Sequence, residues 1–160
     1  MASKTDFTST EWSTLLKAPG WASIAVVAAS PSGPIGVVKE MFAAGKVLAD
    51  PTAASQNSLV NALVADLRTS EGRQQAHPTE INAKTPDELR AQAVAALKQV
   101  TSLVDAKAGA DADGFKRWLA TLSERVAQAA TEGGFLGFGG TRVSDKEQST
   151  LADIRNALGV

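Results

Sequence analysis

Residues 85–109 read TPDELRAQAVAALKQVTSLVDAKAG, and this stretch carries the start, the apolar face and the end of one long helix. Thr85 and Glu88 stand three positions apart as in a capping box, with a proline at the first helical position. Apolar side chains then recur at steps of three and four residues, which is the spacing of one helix face. They are Leu89, Ala93, Leu97, Val100 and Val104. A glycine, Gly109, ends the pattern.

The rest of the chain shows the same kinds of signal and predicts an all-α protein. Helices are expected from residues 8–10 to Pro19, over 21–29, 34–50 and 55–67 (with Ser55 as N-cap), over 85–108, from Asp111 or Asp113 onward, and over 144–158. We expect the break at Pro19 and Gly20 because proline disrupts a helix interior. The 29 alanines and the lack of tyrosine favour closely packed helices. The fold class is therefore an irregular helical bundle of about seven helices, four of them main ones.

Two segments are assigned different roles in this scheme. Residues 21–29 are apolar on all sides, so we expect them at the centre of the core. A buried strand would also fit this pattern, but we prefer a helix because no second strand is found to pair with it. Residues 69–84 form a polar connection that has room for one extra helical turn. With 160 residues the chain predicts a single domain, 1–160, of which 1–7 form a disordered N-terminal tail.

The composition excludes several classes of function. Sixteen basic and 17 acidic side chains, without a basic cluster, argue against binding to nucleic acid. The absence of cysteine excludes disulfides and thiolate metal sites, and a single histidine excludes a histidine pair within one chain. No basic leader and no apolar run of bilayer length is found, so a cytoplasmic location is expected.

The most unusual stretch is residues 132–141, which read EGGFLGFGGT. Glycines allow backbone conformations that other residues avoid, while two phenylalanines and a leucine remain strongly apolar. The segment can plug the end of the bundle, act as an apolar clasp for a partner, a lipid surface or a second subunit, or cradle an anion. A phosphate-binding loop would require a lysine where Gly140 stands. The candidate contact residues are Gly134, Phe135, Leu136, Gly137, Phe138 and Gly139, together with Trp21.

No other constellation supports an enzyme, a cofactor or a metal. A metal-binding bundle needs carboxylates that point inward between its helices. The candidates are Glu40, Asp66, Glu124 and Glu132. All four lie opposite the apolar stripes of their helices or at the edges of those stripes, so they do not point inward. His77 lies in a polar run and is expected to be an exposed loop residue. Three tryptophans, Trp12, Trp21 and Trp118, are expected to anchor the core. Trp21 follows the Pro-Gly pair and is therefore also considered as a contact residue.

Part of the sequence resembles a known group of proteins. Residues 115–119 (FKRWL), 132–140 (EGGFLGFGG) and 143–147 (VSDKE), with Leu158 and Gly159, resemble a group of small uncharacterised bacterial helical proteins. Residues 32–40 and 66–73 are similar to the same group, so the resemblance covers most of the chain. It implies a bacterial, cytoplasmic, helical protein and no particular activity. The C-terminal VSxxE…LG ending is also similar to tellurite-resistance B-like domains, from which no site is carried over.

These observations favour a non-catalytic protein that acts as an interaction module or as a homo-oligomeric accessory subunit. Its partner would be a second copy of itself or another protein, with no cofactor. The first alternative is a small-molecule-binding bundle or cryptic enzyme, which requires a cavity near Trp21 or Trp118. The second is peripheral membrane attachment through Trp21 or the Phe-Leu-Phe triplet.

Overall fold

A computed structural model describes residues 1–29, 56–132 and 144–160, and the side chains of all of these except 130–132. Six α-helices lie in these ranges: α1 (Ser9–Ala29), α2 (Ser58–Leu67), α3 (Ser70–Gln75), α4 (Pro86–Lys107), α5 (Ala112–Glu132) and α6 (Asp145–Leu158). Short 3₁₀ turns occupy Lys4–Asp6 and Gly109–Asp111, and no strand occurs among the described residues. The predicted all-α class is confirmed. The helix expected over 34–50 lies outside the described residues.

The four long helices, α1, α4, α5 and α6, form the bundle, and α1 packs against all three of the others. Its central position follows from its composition, because its second half is apolar on several sides. Ala22, Ala25 and Val26 are all fully buried, as expected for residues 21–29. The shorter α2 and α3 pack against each other and against α1.

The long stripes that the sequence predicts form the core of this bundle. In α4 the residues Ala93, Leu97, Val100 and Val104 have no exposed surface, while Leu89 is half-buried. In α5 the large buried apolar side chains are Phe115, Trp118, Leu119, Leu122 and Val126, and in α2 they are Leu59, Val60, Leu63, Val64 and Leu67. The spacing of apolar residues therefore identified the buried face of α4.

The expected helix break at Pro19 and Gly20 is wrong, because α1 runs without interruption through both residues. A proline inside a helix costs about 3 kcal/mol through one lost hydrogen bond and a steric clash. Fully burying one leucine or valine side chain stabilises by roughly 1.5–3 kcal/mol, and α1 buries such side chains on both sides of the proline, among them Leu15, Leu16 and Val26. Tertiary packing thus outweighs the local penalty.

Residues 1–7 also differ from the disordered tail that we expected. They contain a 3₁₀ turn, and Ala2 and Phe7 belong to the buried core. The Phe7 ring packs against Trp12 at a centroid distance of 6.0 Å. The backbone N–H of Ala2 donates to the carboxylate of Asp111, 109 positions away. These long-range contacts order the segment. The sequence does not predict them, because seven residues are too few to show a repeat of apolar positions.

The helix ends confirm most of the capping signals. Ser144 and Glu147 form the complete capping box at the start of α6, with nitrogen-to-oxygen distances of 2.7 and 3.3 Å. At α4 the Thr85 hydroxyl accepts from the Glu88 N–H as predicted, but the Glu88 carboxylate accepts from the backbone N–H of Lys84 and not of Thr85.

The N-cap of α2 is Asn57 and not the expected Ser55, and the polar connection contains one helix. The Asn57 side chain accepts from the Val60 N–H and so caps α2. Within residues 69–84, α3 starts at the N-cap Thr69, whose hydroxyl accepts from the N–H of Gly72. Among the helices of the described ranges, none combines the length and the hydropathy that a membrane-spanning segment requires.

Candidate functional site

The candidate contact residues divide into one that the structure describes and a segment that it does not. Trp21 lies in the middle of α1, retains 9% of its surface and belongs to the core cluster. This position confirms its role as a core anchor and corrects its assignment as a contact residue, because so little of the ring is available to a partner. Gly134, Phe135, Leu136, Gly137, Phe138 and Gly139 lie outside the described residues.

The described chain nevertheless fixes both ends of that segment. The helix before it, α5, ends at Glu132, and the helix after it, α6, begins after the N-cap Ser144. These two helices pack against each other in the bundle. The glycine- and phenylalanine-rich residues 133–140, which we call the Gly/Phe segment, therefore connect two neighbouring helices of the core.

One polar cluster joins the N-terminal residues to α2. The Asp66 carboxylate accepts from the Lys4 ammonium at 2.9 Å and from the Trp12 indole N–H at 2.6 Å. These two hydrogen bonds, the one from Lys4 having the larger effect, lower the pKa of Asp66 below its ordinary value of 3.8. Asp66 thus links α2 to the N-terminal turn and to α1.

A second cluster holds the start of α2 against the start of α5. The Asn57 side chain caps α2 with its oxygen and donates with its nitrogen to the Asp111 carbonyl at 2.8 Å. The Asp111 carboxylate accepts from the backbone N–H of Ser58 as well as from that of Ala2. Gly114 lies against the Asn57 amide so closely that a methyl group in place of its hydrogen would be 2.4 Å from the nitrogen.

Lys116 provides a third cluster, between α4 and α5. Its side chain is 9% exposed, and its ammonium contacts Asp105 at 2.7 Å and Asp113 at 3.0 Å. The hydrogen bond to Asp105 is the main reason why the pKa of Lys116 is raised above 10.5. A buried, doubly paired ammonium joins the two helices and remains protonated, so it is not poised as a base.

The carboxylates and the histidine take positions close to those expected. Asp66 is half-buried and paired, Glu124 is half-buried and accepts from Arg155, and His77 is exposed. Glu40 and the side chain of Glu132 lie outside the described residues. Among the residues that are described, no three histidine, aspartate or glutamate side chains form a group able to hold a metal ion.

A stretch of chain without regular secondary structure, which is held against α4 by one side chain, follows α3. Residues 78–83 run without a turn or bend, and Ile81 within them keeps 46% of its surface exposed. The Gln92 side chain of α4 accepts from the Asn82 N–H at 3.2 Å and donates to the Glu80 carbonyl at 2.5 Å. The only signal in the sequence is one isoleucine in a polar run, which is too weak to predict this geometry.

Comparison with protein-family models, with curated proteins and with solved structures returns no match for this chain.

The hydrogen bonds of Asp66 predict a defined acid sensitivity. Because the pKa of Asp66 is lowered on folding, its ionised form stabilises the fold fully above pH 3.8, and this contribution is lost as the pH falls through the folded-state pKa. We expect Asp66→Asn to lower the free energy of unfolding by about 1 kcal/mol at pH 7. Urea denaturation at pH 7 and pH 3 measures the difference from wild type, which should shrink at the lower pH.

Asp87→Asn is the matched control for this experiment. Asp87 also has a lowered pKa, from a hydrogen bond to Lys146, but its side chain is 71% exposed. An exposed ion pair contributes little, so this variant should have nearly the same free energy of unfolding as wild type. A pH-independent cost of Asp66→Asn, or equal costs for both variants, would contradict the role assigned to Asp66.

Proposed function

We propose that the chain is a cytoplasmic bacterial protein that acts by binding and not by catalysis, as an interaction module that assembles with further copies of itself. Its principal contact is the Gly/Phe segment, through Phe135, Leu136 and Phe138. Aromatic and large apolar side chains contribute most of the free energy at protein interfaces, and here three of them stand within four residues.

The observation that supports this proposal most is the scarcity of apolar surface on the described helices. In residues 1–29, 56–129 and 144–160 the exposed large hydrophobic side chains are Met1, Ile81 and Val160. These three positions are far apart in the sequence, and none belongs to a long helix. An apolar contact through the faces of α1, α4, α5 or α6 therefore has little support, and the Gly/Phe segment is the better candidate.

The buried ionisable groups favour binding over catalysis. Lys116 joins α4 to α5, Asp111 holds the backbone of α2 and the N-terminal segment, and Glu147 completes the capping box of α6. Each of these groups has a structural partner that it would have to leave before it could act on a substrate. A reacting group needs the opposite, namely a proton or lone pair that is directed at a bound molecule.

The test is the self-association of the double variant Phe135→Ser/Phe138→Ser. Sedimentation velocity over a range of protein concentrations should show that the variant needs at least a roughly tenfold higher concentration than wild type for half-association. The matched control is Val160→Ser, which removes a 42% exposed apolar side chain elsewhere and should leave association unchanged. Equal association of wild type and the double variant would contradict the proposal.

A further inference from the structure

Residues 1–7, which we call the strap, are held on the rest of the described bundle by few contacts. Two of their side chains, those of Ala2 and Phe7, are buried, and the other five residues are exposed. Two hydrogen bonds, from the Ala2 N–H and from the Lys4 ammonium, reach carboxylates elsewhere in the chain. Ordering the strap costs backbone entropy at each of its residues, so these contacts leave only a small net stabilisation of the closed position.

The carboxylates that hold the strap keep other partners when it leaves. Asp66 also accepts from the Trp12 indole N–H at 2.6 Å, which joins α2 to α1. Asp111 also accepts from the N–H of Ser58, the first residue of α2, at 3.2 Å. Opening of the strap therefore leaves each carboxylate with a hydrogen-bond donor of the bundle and avoids the cost of a carboxylate without a partner.

The start of α1 is fixed without the strap. The Glu11 carboxylate accepts from the Thr8 N–H at 2.7 Å, and the Thr8 hydroxyl accepts from the Glu11 N–H at 3.3 Å, as in a capping box. Glu11 also pairs with Lys107 of α4 at 2.7 Å. Phe7, the residue before Thr8, has an extended backbone with φ −120° and ψ 146°. Rotation about the backbone bonds of Phe7 can therefore move the strap while α1 remains capped and in place.

The closed strap covers the ring of Trp12. The Phe7 ring packs against it at a centroid distance of 6.0 Å, and the Lys4 ammonium lies 5.9 Å from its centroid. Trp12 consequently keeps only 2% of its surface exposed. Because Phe7 and Lys4 both belong to the strap, opening exposes an aromatic ring that the closed strap hides.

We propose that the strap opens and closes as a unit on the folded bundle, with its hinge at Phe7, and so controls the exposure of the Trp12 ring. The ion pair between Lys4 and Asp66 is its latch. The Lys4 side chain is 60% exposed, so the latch is weak, and the strap opens without unfolding of the long helices. This inference does not depend on the proposed self-association.

The labelling of single thiols tests this device, because the chain contains no cysteine. Ala2→Cys places one thiol on the buried side of the strap, and the control Ala93→Cys places one on the buried face of α4. The first thiol should react with dithionitrobenzoate at least roughly 100-fold faster than the second. Its rate should hardly rise with urea below the unfolding transition, because opening of the strap exposes little surface. The rate of the control should rise steeply, because its reaction requires global unfolding.

The latch is tested in the Ala2→Cys background. Lys4→Met removes the ammonium and keeps the apolar part of the side chain, so the labelling rate should rise about two- to fivefold. The matched control is Lys98→Met, which removes the ammonium of an exposed lysine of α4 and should leave the labelling rate unchanged.

Amide hydrogen exchange of the wild-type chain makes the same comparison without a substitution. The Ala2 amide, which donates to Asp111, should exchange much faster than the amide of Val100 in α4. Its exchange rate should hardly depend on urea, whereas that of Val100 should follow global unfolding.

Three results would overturn the inference. If the Ala2→Cys and Ala93→Cys thiols react at the same rate and with the same urea dependence, residues 1–7 open only together with the bundle. If the Ala2→Cys thiol reacts as fast as it does in the chain unfolded in urea, the strap is not closed on the bundle at all. If Lys4→Met changes the labelling rate no more than Lys98→Met does, the ion pair with Asp66 is not the latch.

Discussion

Replacing Gly114 by alanine should destabilise the protein by about 1–3 kcal/mol, although alanine is the better helix former. The new methyl group would be 2.4 Å from the Asn57 amide nitrogen, which is closer than atoms can approach. Asn57 is 7% exposed and cannot move away without losing the cap of α2 and its hydrogen bond to the Asp111 carbonyl. Losing a helix cap costs about 1 kcal/mol and an unsatisfied buried carbonyl roughly 1–3 kcal/mol.

A double-mutant cycle separates this steric effect from others. In an Asn57→Ala background the obstructing amide is absent, and Gly114→Ala should then stabilise the protein by about 0.5–1 kcal/mol through helix propensity alone. Urea denaturation of the wild type, both single variants and the double variant measures the four free energies of unfolding. The same sign for Gly114→Ala in both backgrounds would contradict the contact between Asn57 and Gly114.

Phe115→Ala should cost about 3–5 kcal/mol, because it opens a large cavity where α5 enters the core. The Phe115 ring has no exposed surface and packs against Trp118 at a centroid distance of 5.6 Å. Phe115→Leu, which keeps most of the volume, is the matched control and should cost clearly less. Denaturant unfolding followed by tryptophan fluorescence measures both. A loss below about 1.5 kcal/mol for Phe115→Ala would mean that the ring is not a central part of the core.

The sequence predicts the buried faces of the helices well, because burial along a helix repeats with the helical period. The stripe from Ala93 to Val104 and the capping box at Ser144 depend on residues close together in the chain. Pro19 shows the limit of such local rules. These rules include the cost of the lost hydrogen bond. They do not include the free energy gained by burying the apolar side chains of α1 on both sides of the proline.

Contacts between distant parts of the chain were the other source of error. Ala2 binds Asp111 and Lys4 binds Asp66, and nothing near residues 1–7 indicates these partners. The position of residues 80–82 depends in the same way on Gln92, whose place in the sequence indicates only the surface of a helix. Trp21 was assigned as a contact residue for a related reason, because its place next to the Pro-Gly pair suggested an exposed break and not the middle of a helix.

The most direct test of self-association without a cofactor is the native mass of the purified protein, compared with its mass after denaturation. We expect a native mass that is a whole multiple, above one, of 16.5 kDa, with no excess over the sum of the chains. A native mass of a single chain would contradict self-association. A reproducible excess that disappears on denaturation would reveal a bound ligand or metal, and would contradict a protein that acts by binding copies of itself alone.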